Sequence, residues 1–98
     1  MKPTFLELRH LRTLLALKET GSVSMAAKRV YLTQSALSHQ IKLMEEQFGL
    51  PLFERKSNPL RFTAAGDRLI RLANEILPKV IDAERELARV KHGDAGQL

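Results

Sequence analysis

The chemistry that this 98-residue sequence offers is concentrated in a short run of hydrogen-bonding side chains. The run consists of Gln34, Ser35, Ser38, His39 and Lys42. At about 100° per residue these positions fall on one side of a helix, so their donors and acceptors form a compact polar row. Gln pairs with adenine through two hydrogen bonds, Ser serves either strand, and Lys reaches guanine or phosphate. The row is suited to base edges in a DNA groove; the alternative is a solvated helix face.

The helix that carries this row has clear end signals. Thr33 is a good N-cap, the amide groups around it can hold a phosphate, and Gly49 is a good C-terminal stop. We therefore expect a helix from about Gln34 to Phe48. The stripe expected to face the core is apolar and consists of Leu37, Ile41, Met44 and Phe48.

A first helix is expected within residues 1–20, because Gly21 is a natural helix stop. Thr4 and Glu7 fit a capping box, or Glu7 opens a slightly later helix. His10 is expected to pack against the second helix rather than to function.

A second, short helix is capped by Ser22 or Ser24 and filled by 25–30. Its paired alanines are small enough for another helix to approach closely. Tyr31 and Leu32 make a tight connection to the polar helix, where many helix-turn-helix turns have Gly. This arrangement predicts a helix-turn-helix, whose second helix enters the major groove.

Two short strand-like runs, 52–55 and 60–63, follow the polar helix, and the turn-rich stretch 56–59 separates them. They predict a hairpin that carries Arg55, Lys56 and Arg61. Cations on such a wing can reach phosphates or the minor groove. The alternative is a surface hairpin with incidental positive charge.

A long helix is expected from Thr63 to about Lys91, with a kink at Pro78 because proline breaks the hydrogen-bond ladder. Its apolar positions repeat as a heptad stripe, which is typical of helix pairing. At about 42 Å, such a helix is too long to be covered by the preceding 63 residues, so a second copy is the expected partner. The expected dimer contacts are Leu69, Ala73, Ile76, Val80, Ala83, Leu87 and Val90.

The charge distribution agrees with DNA binding by the first part of the chain and helix pairing by the second. The net charge is +5, and all of it belongs to residues 1–63, while 64–98 are neutral. No cysteine is present, and the three histidines lack metal-ligand spacing, which leaves out disulfides, thiol catalysis and a histidine metal site. No nucleophile–base pair is evident, so we expect neither an enzyme nor a cofactor. No apolar run is long enough for a membrane span, and a cytoplasmic protein is expected.

The expected fold is mainly α. Residues 1–63 form a winged helix-turn-helix of three helices and a two-stranded wing, 64–91 a linker and dimerisation helix, and 92–98 a flexible tail. The expected function is sequence-specific binding of double-stranded DNA as a homodimer. Thr33 is expected to contact DNA together with the polar row. An alternative is a helical interaction module whose basic face binds an acidic protein.

The run AAKRVYLTQSALSHQI at 26–41 resembles the helix-turn-helix of LysR-type bacterial transcriptional regulators. Glu45, Gly49, LFER at 52–55 and FTAAG at 62–66 continue the match in order, over about residues 5–90. Within that family, the segments around 37–40 and 55–63 most resemble regulators of the methionine pathway. His39 stands where Arg is common, and Asn58 where a second wing Arg is often found.

The resemblance implies a winged helix-turn-helix that regulates transcription, with a linker helix that pairs two subunits on an interrupted palindromic site. It also implies a C-terminal effector-binding domain beyond residue 98, through which a small-molecule effector acts, and it allows a tetramer of the full-length protein. The implied DNA-facing positions are Thr33, Gln34, Ser35, Ser38, His39 and Lys42, with Arg55 and its neighbours on the wing.

Overall fold

The computed structural model describes residues 4–54, 57 and 59–92. Within these ranges the chain forms α1 (Leu8–Thr20), α2 (Val23–Arg29), α3 (Gln34–Phe48) and α4 (Ala64–Lys91). An antiparallel β-bridge joins Phe53 to Phe62. The expected mainly α architecture is therefore confirmed.

Side-chain caps set the starts of three helices. The Ser22 hydroxyl accepts a hydrogen bond from the Met25 amide at 3.3 Å. The Thr33 hydroxyl caps α3 by accepting from the Ala36 amide at 3.0 Å. The Thr63 hydroxyl caps α4 by accepting from the Gly66 amide at 3.2 Å. Each cap satisfies an amide that the first helical turn leaves without a partner. The bounds expected for α3 and α4 are confirmed, and Ser22 rather than Ser24 caps α2.

Helix α1 begins later than a cap at Thr4 would place it. Glu7 is the N-cap, and its backbone amide donates to His10 Nδ1 at 2.9 Å. The Thr4 capping box is therefore wrong, and the later start at Glu7 is confirmed. His10 is only 3% exposed, and its ring stacks on Phe5 with centroids 4.9 Å apart. The histidine is packed, as expected, but its stacking partner precedes α1.

The core is centred on α1, whose Leu14 and Leu17 have no exposed surface. One side of α1 meets α2, where Ala26 and Ala27 are buried and allow close approach. Another side meets the first half of α4 through Leu11. Helix α1 is thus the element against which the other parts of the fold are placed.

The wing has less β structure than the two strands expected from the sequence. Besides the bridge, the Glu54 amide donates to the Arg61 carbonyl and the Thr63 amide to the Leu52 carbonyl, both at 3.0 Å. The rings of Phe53 and Phe62 lie 4.7 Å apart. In the described part of the hairpin, the expected strands are therefore reduced to one bridge with a hydrogen bond on either side.

The first half of α4 belongs to the same packed unit as α1. The buried positions of α4 are Gly66, Ile70, Ala73 and Leu77. Ala73 has no exposed surface, because it packs with Leu11 of α1. Its expected contact with a second copy is therefore wrong: its own chain covers it.

The second half of α4 lacks such cover. From Ile81 to Arg89 every residue is exposed, and Leu87 exposes 57% of its surface. The helix continues through Pro78 to Lys91. None of the helices in the described ranges is long and apolar enough to cross a membrane.

Candidate functional site

Helix α3 is held from its inner side and at its C-terminal end. Leu37 and Met44 on the inner side have no exposed surface. The Glu45 carboxylate accepts a hydrogen bond from the Leu52 amide at 2.7 Å, which fixes the start of the wing against α3. These contacts define which face of the helix is turned to the core and which is turned outward.

The outer face of α3 presents the predicted polar row to solvent. All of its members are exposed: Gln34, Ser35, Ser38, His39 and Lys42. Thr33 is also exposed, but its hydroxyl is engaged with the Ala36 amide. The structure thus brings the six predicted positions together at the N-terminal part of one helix, with Thr33 serving as the cap.

The size of this face suits a nucleic-acid groove. An α-helix with its side chains is about 10–12 Å across, and the major groove of B-DNA is about 12 Å wide. The row offers amide, hydroxyl and imidazole groups for hydrogen bonds and one ammonium for phosphate or guanine. No covalent or metal chemistry is needed for what this surface can do: it can read a pattern of donors and acceptors.

The wing packs in the same apolar clusters as α3 through Phe53 and Phe62, and it carries Arg61. The Arg61 side chain is exposed, while its backbone amide donates to the Ser57 hydroxyl at 2.9 Å and its carbonyl accepts from Glu54. The base of the wing is tied to the turn before α2, because the Leu60 amide donates to the Gly21 carbonyl at 3.3 Å. Arg55, Lys56 and Asn58 lie outside the described residues.

The connection between α2 and α3 has an unusual backbone. Tyr31 has φ of +60° and a side chain that is 94% exposed. Its amide donates to the Lys28 carbonyl at 3.2 Å, and the Leu32 amide donates to the Ala27 carbonyl at 2.9 Å. The left-handed region is costly for residues other than Gly and Asn. Many helix-turn-helix turns have Gly at the position of Tyr31. That preference for Gly was the signal in the sequence for a left-handed backbone conformation at this residue.

Sequence reasoning missed an apolar pocket at the other end of α3. Phe48, expected on the packed stripe, is 39% exposed, and Leu50 is 53% exposed. Both line a pocket together with the first residues of α4. The signal was present in the sequence as an apolar residue, Leu50, placed between two turn residues.

Comparison with known proteins identifies the class to which this arrangement belongs. Residues 8–67 match the model of the family described as bacterial regulatory helix-turn-helix proteins, lysR family. These residues span α1 to the first turn of α4.

Two curated relatives are named HTH-type transcriptional regulator MetR. The one from Haemophilus influenzae is 91% identical over all 98 residues, and the one from Escherichia coli K12 is 50% identical over 78 residues, 80% of this chain. The chain spans 32% and 25% of their lengths. The expected resemblance to methionine-pathway regulators is confirmed at the level of sequence.

A solved structure gives the same result for the fold. A crystal structure of the BenM DNA-binding domain on catB site 1 DNA superimposes with a TM-score of 0.80 at 35% identity. It covers 90% of this chain and 95% of that one. These relatives are regulators and not enzymes. The chain therefore belongs to the LysR family of bacterial regulatory helix-turn-helix proteins.

Proposed function

We propose that this chain binds double-stranded DNA sequence-specifically, as a homodimer, and that it is the DNA-binding part of a transcription regulator. The observation that carries the proposal is the exposed polar row on α3, whose inner side is buried in the core. The BenM DNA-binding domain, crystallised on DNA, has the same fold at 35% identity. A row of this kind is what direct readout of base edges requires.

In this proposal α3 lies in the major groove with its N-terminal turns against the bases. Gln34 and Ser38 read base edges, and Lys42 contacts guanine or phosphate. The amide groups at the start of α3 face a phosphate, which their orientation and the helix dipole favour. Arg61, with Arg55 and Lys56, supplies cations to the backbone or the minor groove.

The uncovered half of α4 supports the proposed homodimer. Leu87 is more than half exposed and lies on the predicted pairing stripe. Pairing of two such helices would place two α3 helices in successive major grooves, about 34–36 Å apart or a multiple of that distance. We therefore propose an interrupted palindrome as the DNA site, and the cytoplasm as the compartment in which the protein meets it.

The role of the whole protein is also a proposal, because the chain spans 32% of the Haemophilus influenzae relative named MetR. We infer a regulator of the same kind, controlled by a small molecule through the C-terminal domain that the family resemblance implies.

Selection of bound fragments from bacterial genomic DNA tests the proposal, because the protein itself chooses the site from all the sequences offered. Purified protein is incubated with sheared DNA, and retained fragments are sequenced. We expect the fragments to share an interrupted palindrome whose half-sites are centred about 10–10.5 base pairs, or a multiple, apart. Retained fragments with no shared sequence would contradict sequence-specific binding.

A further inference from the structure

A pocket of about 270 Å³ lies between the first half of α1 and the connection from α2 to α3. Its lining, which we call the arginine pocket, combines three guanidinium groups with apolar side chains and one aromatic ring, and includes Arg9, Arg12, Arg29, Val30, Tyr31 and Leu32. The exposed polar row of α3 takes no part in this lining. Since a cavity of roughly 150 Å³ holds one benzene molecule, the arginine pocket has room for one aromatic or aliphatic side chain.

Tyr31 contributes to this pocket a ring that the fold itself does not use. The side chain is 94% exposed, and the backbone has φ of +60°. Glycine would hold the same turn without strain. The turn thus carries an aromatic ring at a cost in backbone strain, without a packing contact that offsets the cost. Strained residues of this kind cluster at functional sites, and Tyr and Arg are the residue types enriched where proteins bind one another.

The arginines of the pocket already bind carboxylates of their own chain. Arg29 pairs with Glu19 at 2.8 Å and Arg9 with Glu7 at 3.0 Å, and all four side chains are more than half exposed. Within the part of the chain that the structure describes, Arg12 has no carboxylate partner. Exposed pairs of this kind contribute little to stability, so carboxylates of another molecule can take their place. Guanidinium groups bind carboxylates through two parallel hydrogen bonds.

The shape of the surface favours an extended segment over an ion or a nucleic-acid backbone. Arg12, Arg29 and Val30 also line a second pocket of about 230 Å³, which reaches Leu15 and Leu77. The two pockets therefore adjoin, from the connection after α2 to α4. A phosphate backbone needs cations but has no group that an apolar lining would hold. An acidic peptide segment with an apolar side chain matches both the charge and the apolar lining.

We propose that the arginine pocket binds an acidic segment of another protein. Carboxylates of that segment pair with Arg9, Arg12 and Arg29, and one of its apolar side chains enters the pocket beside Tyr31. The inference goes beyond the proposed DNA binding and does not depend on it, because the polar row of α3 is a separate surface. A protein held in this way lies next to the turn that leads into α3.

Selection from a library of random peptides tests the chemistry of the partner. Peptides that bind the wild-type chain are retained, and those that also bind Tyr31→Gly are removed. We expect the enriched peptides to carry Asp and Glu beside an aromatic or aliphatic residue. No enrichment, or enriched peptides without carboxylates, would overturn the proposal. Circular dichroism confirms that Tyr31→Gly is folded, as expected for a residue that is free of strain in this turn.

Affinities of an enriched, labelled peptide for variants of the chain locate its site. We expect Tyr31→Gly and Arg12→Gln each to weaken binding about tenfold, the loss typical of an important interface residue. The matched control is Arg85→Gln, since Arg85 is exposed and lies outside both pockets. An equal loss with Arg85→Gln would show attraction by charge alone and overturn the proposal.

Two further measurements exclude the other occupants of this surface. Tyr31→Gly and Arg12→Gln should leave the affinity for a duplex from the genomic selection nearly unchanged. A loss on the duplex as large as the loss on the peptide would assign the surface to DNA and overturn the proposal. A peptide that binds the Leu87→Glu chain but not the wild-type dimer would show that a second copy covers the pocket, which would also overturn it. Failure of duplex binding by the wild-type chain would instead contradict only the proposed function.

Discussion

At the residue scale, we propose different tasks for the exposed groups on α3 and on the wing. Side chains that reach base edges carry sequence information, whereas cations on phosphates contribute affinity for any duplex. Gln34 stands in the exposed row of α3 and Arg61 on the wing. Substituting each of them therefore changes a different property of DNA binding.

We expect Gln34→Ala to lower the preference for the selected site by about 1–3 kcal/mol. Arg61→Ala should weaken binding to specific and shuffled duplexes alike and reduce the salt dependence by about one phosphate contact. Competition between the two duplexes, measured by fluorescence anisotropy, reports both quantities. Equal losses of affinity on both duplexes for Gln34→Ala would contradict the assigned division.

We expect His10 to give the stability of the fold a pH dependence. Burial lowers the pKa of His10 below its ordinary value of 6.5, with a smaller contribution from Arg9, while Glu7 opposes the shift. The neutral ring accepts the Glu7 amide at Nδ1, and protonation removes that acceptor. The folded state thus binds fewer protons than the unfolded chain near pH 6.5.

The free energy of unfolding should therefore fall as the pH drops below about 6.5 and reach its full value above it. Urea denaturation at a series of pH values measures this trend. His10→Gln should flatten it, while His39→Gln, at an exposed position on α3, should leave it in place. A pH dependence that survives unchanged in His10→Gln would show that another group is responsible.

At the element scale, Gly66 sets the close approach of α4 to the wing. A Cβ atom at this position would lie 2.3 Å from the Leu52 carbonyl oxygen and 3.0 Å from the Phe62 ring. Alanine normally stabilises a helix interior by about 1 kcal/mol relative to glycine. Here we expect Gly66→Ala to destabilise the fold by about 1–3 kcal/mol, because backbone or ring must move.

Thermal or urea unfolding of Gly66→Ala checks this expectation. Gly49→Asn is a suitable control, since Gly49 has φ of +66° with open space around it and Asn tolerates that conformation. A Gly66→Ala protein more stable than the wild type would mean that α4 and the wing are not packed as described.

The helix ends were predictable from the sequence because caps are local. Thr33, Gly49 and Thr63 act within one turn of their own positions, and the bounds of α3 and α4 followed from them. The start of α1 was ambiguous because both Thr4 and Glu7 are reasonable caps. The bond from Glu7 to His10 decided it, and that bond depends on how the His10 ring packs on Phe5.

The candidate site was predictable to the same extent. The polar row of α3 was found by helical spacing, and all of its members are exposed. The assignment of α4 was less complete, because a heptad pattern does not say which partner covers each flank. Ala73 faces α1 of its own chain, and Leu87 faces solvent. Only the tertiary packing distinguishes these two positions.

At the scale of the whole molecule, α4 joins a packed half to an uncovered half. We expect Leu87→Glu to convert the dimer to a monomer at micromolar concentration, since an unpaired charge would be buried in the pair. Leu87 makes no part of the core, so the variant should stay folded. Sedimentation measures the mass, and a Leu87→Glu dimer would contradict pairing through this half of α4.

The positive charge of the molecule bears on whether the partner of α3 and the wing is DNA or an acidic protein. All of the net charge of +5 lies in residues 1–63, the part that contains α3 and the wing. A protein that neutralises phosphates releases counterions, so its affinity falls steeply with salt. An acidic protein partner would not produce a preference between DNA sequences, whereas direct readout by α3 would.

The central claim is that α3 reads DNA sequence within a phosphate-binding dimer. Its most direct test is fluorescence anisotropy with a labelled duplex from the genomic selection and a shuffled duplex of equal length, over a salt series. We expect the selected duplex to bind at least about 10³-fold more tightly at physiological salt. We also expect its affinity to fall about 10³–10⁵-fold between 50 and 200 mM salt, as six to ten phosphate contacts require. Equal affinity for both duplexes, or an affinity that does not change with salt, would contradict the account.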